Sequence, residues 1–148
     1  MADAPKSVLF CCDHNSIRSP MAEGLTKKHV GTTIFIQSAG VGNDKDIDGF
    51  AVAVCEEVGV ELTKHQVRSF EDLENWGDDL ESYDLIVALS PMSEKVVKQH
   101  LTHAATEVEY WEIDDPTGAE GREAALEKYR KVRDDLNQRI ITRFPQDI

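Results

Sequence analysis

Cysteine is scarce in this chain: three residues among 148, an odd number, with two of them adjacent as Cys11 and Cys12. That count argues against a disulfide-stapled scaffold and for reduced thiols, hence a cytoplasmic location. Basic residues are also few, 16 Lys and Arg against 28 Asp and Glu, which leaves a net charge of −12. A surface this negative argues against nucleic acid and anionic membranes as partners. Any phosphate site must therefore generate its own local positive field. No apolar run approaches the length of a membrane span. The opening Met1-Ala2-Asp3-Ala4-Pro5-Lys6 lacks the basic-then-apolar layout of a signal peptide. Repeats and low-complexity tracts are missing. The most biased stretch, Glu71 to Asp84, is half acidic and reads as a solvated connection.

What remains is an ordinary globular composition, 41% hydrophobic and 30% charged, long enough for one domain spanning 1–148 with a real core. Apolar runs at Val8 to Cys11, Ile34 to Gln37, Asp84 to Leu89 and Glu107 to Trp111 predict four short strands. Between them the spacing predicts helices over about 20–30, 47–58 and 91–102. A long one follows over 120–143, where Ala124, Ala125, Tyr129, Val132, Leu136, Ile140 and Phe144 recur every three to four residues. Alternation of this kind predicts an α/β fold, a three-layer sandwich with a central four-stranded parallel sheet flanked by helices. Ligands of such sheets bind at the carboxyl ends of the strands.

The chemistry concentrates at one such end. Phe10-Cys11-Cys12-Asp13-His14-Asn15-Ser16-Ile17-Arg18-Ser19-Pro20 runs from a buried strand into a helix with Pro20 in its first turn. A loop between strand end and helix N-terminus turns several backbone N–H groups into one concavity, and the helix dipole adds partial positive charge. Arg18 offers a planar fork of donors suited to a tetrahedral oxyanion. Cys12 lies in the same field, which favours thiolate and makes it a nucleophile. Taken alone, C-x5-R equally describes a small buried cysteine and a surface arginine. The flanking strand, Ser19-Pro20 and helix favour the loop.

Cys12, Asn15, Arg18 and Ser19 match the C-x-G-N-x-C-R-S loop of the low-molecular-weight protein tyrosine phosphatases, and the chain resembles that family, which shares its fold with one class of arsenate reductases. His14 replaces the glycine and Ile17 the second cysteine. The resemblance implies that Asp13, His14, Asn15, Ser16, Ile17, Arg18 and Ser19 form the substrate-binding loop. Asn15 tolerates the positive φ that bends it, and His is enriched at such φ among residues with side chains. Ser19 can donate to the Cys12 sulfur. Asp13 beside a dianion is repulsive, so its side chain is expected to point outward.

A thiolate phosphatase needs a proton donor for its leaving oxygen. The family's acid maps onto Asp115 of Asp115-Pro116, with Asp114 as the neighbour that could mislead, although Asp-Pro is also a common turn. A bound dianion would raise the Asp115 carboxyl and keep it protonated. Thr117 stands where the phosphatases usually carry an aromatic; Trp111 or Trp76 could supply that wall, or serve the core. Ser38-Ala39-Gly40 follows the second strand as in the family. His65, in Gly59 to His65, resembles the histidine that supports the loop, and Ser90-Pro91 reads as a helix start.

Three function classes follow. The first is a phosphatase acting on phosphotyrosine, phosphoarginine or small phosphomonoesters, over a loop floored by Ser16. The second is an arsenate reductase, since His14-Asn15-Ser16 resembles loops of that group. No cysteine follows Cys55 and Cys11 should point away from Cys12, so that route needs an external thiol. The third is a non-catalytic phosphate-binding module. No metal or organic cofactor is implied, and the oligomeric state is left open.

Overall fold

The computed structural model describes residues 4–101 and 105–146. Four parallel strands, β1 (Ser7–Cys12), β2 (Phe35–Gly40), β3 (Leu85–Ala88) and β4 (Glu107–Tyr110), lie in the order β2-β1-β3-β4. Among the described residues five α-helices accompany them: α1 (Arg18–Val30), α2 (Gly49–Glu56), α3 (Phe70–Asn75), α4 (Pro91–His100) and α5 (Arg122–Arg143). The expected α/β sandwich with a four-stranded parallel sheet is what forms.

Period-two alternation sorts the strand side chains between two cores. Val8, Phe10, Cys12, Leu85 and Val87 face α1, α2 and α5, meeting Met21, Leu25, Val54, Leu136 and Ile140. Leu9, Cys11, Ile86 and Ala88 face the other way, toward Phe70 and Leu73 of α3 and Val97 of α4. Both neighbours of β1 are parallel, β2 on one side and β3 on the other. The chain therefore reverses its winding direction beside the carboxyl end of β1, where such sheets open a crevice.

Three elements depart from the sequence expectation. β2 runs on through Ser38-Ala39-Gly40, because those residues pair with Phe10-Cys11-Cys12 of β1 rather than following a finished strand. The acidic stretch is not merely a solvated connection. It begins inside α3, which Ser69 and Asp72 close with a reciprocal capping box, and continues through a 3-10 turn at Leu80–Ser82. Phe70, Leu73, Leu80 and Tyr83 of this region are buried, so two apolar anchors per turn were enough to override the charge. Helix α4 ends at His100, and residue 102 of the predicted helix lies outside the described residues, as do Met1-Ala2-Asp3.

Candidate active site

The loop from Cys12 to Arg18 leaves β1 and enters α1 without a side-chain cap; Ile17 stands at the N-cap and Pro20 in the first turn, where a missing N–H costs no helical bond. Its curvature is set by Asn15, at φ 55 the one non-glycine residue with positive φ among those described. His14 does not need that region. The loop backbone presses so closely on β2 that a Cβ on Gly40 would lie 2.6 Å from the Asn15 nitrogen and 2.7 Å from His14 carbon. Only glycine fits there. Beyond it, the Val41 and Gly42 amides donate to the carbonyls of Cys12 and Asp13 at 3.0 and 2.9 Å, and Asp48 N donates to Ser16 O at 3.0 Å.

Asn15 is fully buried and every polar atom of its amide is used. Its Oδ1 accepts from the Arg68 backbone N–H at 3.0 Å and from His65 Nε2 at 2.9 Å. A backbone N–H can only donate, so the amide's orientation is fixed. Nδ2 then donates to Ser19 Oγ and Ser38 Oγ, each at 2.9 Å. With its oxygen already accepting, the Ser19 hydroxyl has its proton free for Cys12 Sγ, 2.9 Å away. The Ser19 amide points at the same sulfur from 3.4 Å. Two donors converge on one sulfur, and they are pinned before any ligand arrives. Ser38 donates onward to Glu23, a buried carboxylate that also pairs with Lys27 at 2.6 Å. Burial holds His65 below the usual histidine range, against the pull of Glu23. It therefore supports the loop as a neutral donor.

Arg18 is nearly buried, its Nη1 donating to the carbonyls of Leu89 at 3.4 Å and Ile113 at 3.1 Å, at the ends of the segments that carry β3 and β4. Asp13 does not point outward. Its Oδ2 lies 3.5 Å from Arg18 Nη2, because a nearby guanidinium outweighs solvation for a carboxylate this close. Cys12, Asp13, His14, Ser16, Ile17 and Arg18 open onto a cleft of about 210 Å³, closed on its far side by Lys45, Asp46, Asp48, Asp115 and Thr117.

Asp115 thus shares the cleft with Cys12 and Arg18 and also borders a neighbouring groove against Lys128, Lys131 and Asp135, whereas Asp114 lines that groove and not the cleft. Thr117 donates to Asp115 Oδ1 twice, from its backbone N at 3.0 Å and its Oγ1 at 2.7 Å. Burial pushes the Asp115 carboxyl up, but these two bonds and the charge of Arg18 prevail and hold it below the ordinary value. The raised value expected from sequence belongs to the state with a dianion bound beside it. Neither tryptophan forms a wall. Trp111 is core, edge-on to Phe10 at 5.8 Å, and Trp76 is 62% exposed on another part of the surface.

Cys11 lies on the opposite face of the sheet from Cys12, fully buried, its thiol pushed well up by burial and then by Cys12. Cys55 is buried in α2, its thiol pushed up to about 12 by burial. Among the described residues no group of three or more His, Cys, Asp or Glu is placed to hold a metal ion, and no helix is long and apolar enough to cross a membrane.

The family model for low molecular weight phosphotyrosine protein phosphatase matches residues 7–146. The chain belongs to this family. Within the family, its relatives include an arsenate reductase of Bacillus licheniformis, 33% identical over 138 residues, which cover 91% of this chain and 92% of the relative. A glutaredoxin arsenate reductase of Synechocystis sp. is 30% identical over 135 residues, 91% of this chain and 93% of that one. Among solved structures, an arsenate reductase in the phosphate binding state superposes with a TM-score of 0.70 at 27% identity, covering 93% of this chain and 95% of the other.

Sequence reasoning missed Glu23, Arg68 and Lys45, and named Ser38 only within the Ser38-Ala39-Gly40 match, without its bond to Asn15. Glu23 was legible in principle, four residues after Ser19 on one face of α1. Arg68 and Lys45 come from distant loops and carried no local signal.

Proposed function

We propose that this family member is an arsenate reductase that draws its electrons from an external thiol. The observation that carries this reading is the likeness, over nine-tenths of both chains, to proteins named arsenate reductases at 33% and 30% identity. This reverses the order of preference suggested by the sequence, where the phosphatase came first. Thr117 supports it: a threonine braced on Asp115 occupies the place of an aromatic that would flank a phenolic substrate.

In the proposed sequence, arsenate enters the cleft with its oxygens on the loop amides and Arg18. The Cys12 thiolate attacks arsenic, forming an S–As bond, and one arsenate hydroxyl leaves as water with a proton delivered from Asp115. A dianion near Asp115 raises its carboxyl, offsetting the Thr117 bonds, so the acid is charged with its proton as substrate binds. An external thiolate then attacks Cys12 Sγ. The S–As electron pair stays on arsenic, which leaves as arsenite, and Cys12 becomes a mixed disulfide. A second external thiol releases Cys12 by exchange. Balance requires two thiols per arsenate, and the chain supplies neither: Cys11 faces away and Cys55 is buried. A thiol-reducing cytoplasm suits this cycle.

The second reading, a phosphatase on protein phosphotyrosine or a small phosphomonoester, is favoured by the shared cleft of Cys12, Arg18 and Asp115. There Cys12 would take the phosphoryl group and Asp115 would protonate the leaving oxygen, then activate water. One purified preparation decides between them. Arsenate reduction with glutathione and glutaredoxin should exceed aryl phosphate hydrolysis in kcat/KM; hydrolysis alone, with no arsenite formed, would overturn the reductase.

A further inference from the structure

Asp13 is a cleft residue whose chemistry the mechanism leaves unused. It directly follows the nucleophile, and its Oδ2 reaches Arg18 Nη2 at 3.5 Å. Its other oxygen, Oδ1, is buried, so Oδ2 is the oxygen that a ligand on the Arg18 fork can reach. A carboxylate in an anion cradle is costly, because every oxyanion lone pair repels it. That cost falls if the ligand brings a donor.

Oxyanions differ in that respect. Hydrogen arsenate and hydrogen phosphate keep one O–H as dianions, whereas sulfate and dianionic phosphomonoesters present only bare oxygens. A carboxylate lone pair at the cradle gains a charge-assisted hydrogen bond from the first pair and meets repulsion from the second. The loop amides and the Arg18 fork are donors and cannot make this distinction; the other carboxylates of the cleft, Asp46, Asp48 and Asp115, line its far side, so substitution of Asp13 separates its share from theirs. Arg18 is moreover held on its Nη1 side by Leu89 and Ile113 carbonyls, so Asp13 sits at the edge that remains for the ligand.

We propose that Asp13 is a specificity-determining residue: it accepts a hydrogen bond from the hydroxyl of a free, singly protonated oxyanion and so selects hydrogen arsenate and hydrogen phosphate over sulfate and dianionic monoesters. The inference deepens the proposed function and rests on its reading of the Cys12–Arg18 loop as an oxyanion cradle.

Protection of Cys12 from alkylation by iodoacetamide, followed by mass spectrometry at mildly alkaline pH, tests it without turnover. The probes are inorganic phosphate, sulfate and phenylphosphonate. For the native protein, phosphate should protect at concentrations at least about tenfold below those needed for the other two, the factor expected of one hydrogen bond to a charged group. In Asp13→Asn the gap should close, chiefly because sulfate gains a donor from the new amide. Asp13→Ala should close it as well, by removing the repulsion. Equal protection by phosphate and sulfate in the native protein overturns the inference and leaves the cradle standing, whatever the variants do. No protection by any anion overturns both.

Discussion

Thr117 holds one carboxylate oxygen of Asp115 with both its backbone N–H and its hydroxyl, at 3.0 and 2.7 Å. A residue that looked from the sequence like a missing aromatic is instead the brace of the candidate acid. Thr117→Val keeps the backbone bond and the side-chain shape but removes the hydroxyl. The Asp115 carboxyl then rises toward its ordinary value, so the free-enzyme limb of the pH–kcat/KM profile that reports Asp115 should move to higher pH. An unmoved limb would remove Thr117 from the mechanism.

Asp115→Asn should slow turnover by roughly the 10²–10⁴ lost with a general acid. Asp114→Asn, whose side chain lines the neighbouring groove, should change kcat little. In an aryl phosphate assay the Asp115→Asn deficit should shrink as the leaving group becomes more acidic. Equal behaviour of the two variants would mean that the acid is misassigned.

Cys12→Ser should abolish arsenite formation with the fold intact, whereas Cys11→Ser should retain most of it. The two thiols sit on opposite faces of β1, and only Cys12 touches Ser19 and the cleft. Comparable losses in folded protein would show that the thiols act as a pair.

Asn15 joins four partners from three parts of the chain. Asn15→Ala strands buried donors and forces positive φ on a residue that resists it, so it should cost about 3 kcal/mol or more in urea unfolding. Asn15→Gly restores the φ but not the bonds and should cost less. The difference between the two variants isolates the backbone share.

Glu57, exposed and held by Arg130 and Arg133 at 2.7 Å each, has its carboxyl lowered to about 2 from 4.5 by those two hydrogen bonds. A depressed carboxylate stabilises the folded state above its unfolded value and loses that contribution as pH falls through the folded one. Glu57→Gln should therefore lower Tm at neutral pH, with the deficit shrinking below 4.5 and gone near 2. A deficit independent of pH would point to packing rather than charge.

The alternation of strands with helical patterns, and the loop after β1, could be read from the chain because both are written in consecutive residues. The φ of Asn15 and the rim position of Asp115 followed from local chemistry. What escaped was whatever depends on the third dimension. β2 extends through Gly40 because β1 lies beside it, and α3 forms because Phe70 and Leu73 find the sheet. Asp13 turned inward because Arg18, five residues on, comes back to meet it. Trp76, whose alternatives were a substrate wall or the core, takes neither place.

The opposite facing of Cys11 and Cys12 has a kinetic corollary under the proposed chemistry. A reductase with resolving thiols of its own banks two electrons and can finish one conversion alone. This chain keeps no such reserve beside its nucleophile. Left without a thiol donor, it should stall after capturing a single oxyanion and release no arsenite, so its flux would follow the cell's supply of reducing thiol as directly as it follows the toxin.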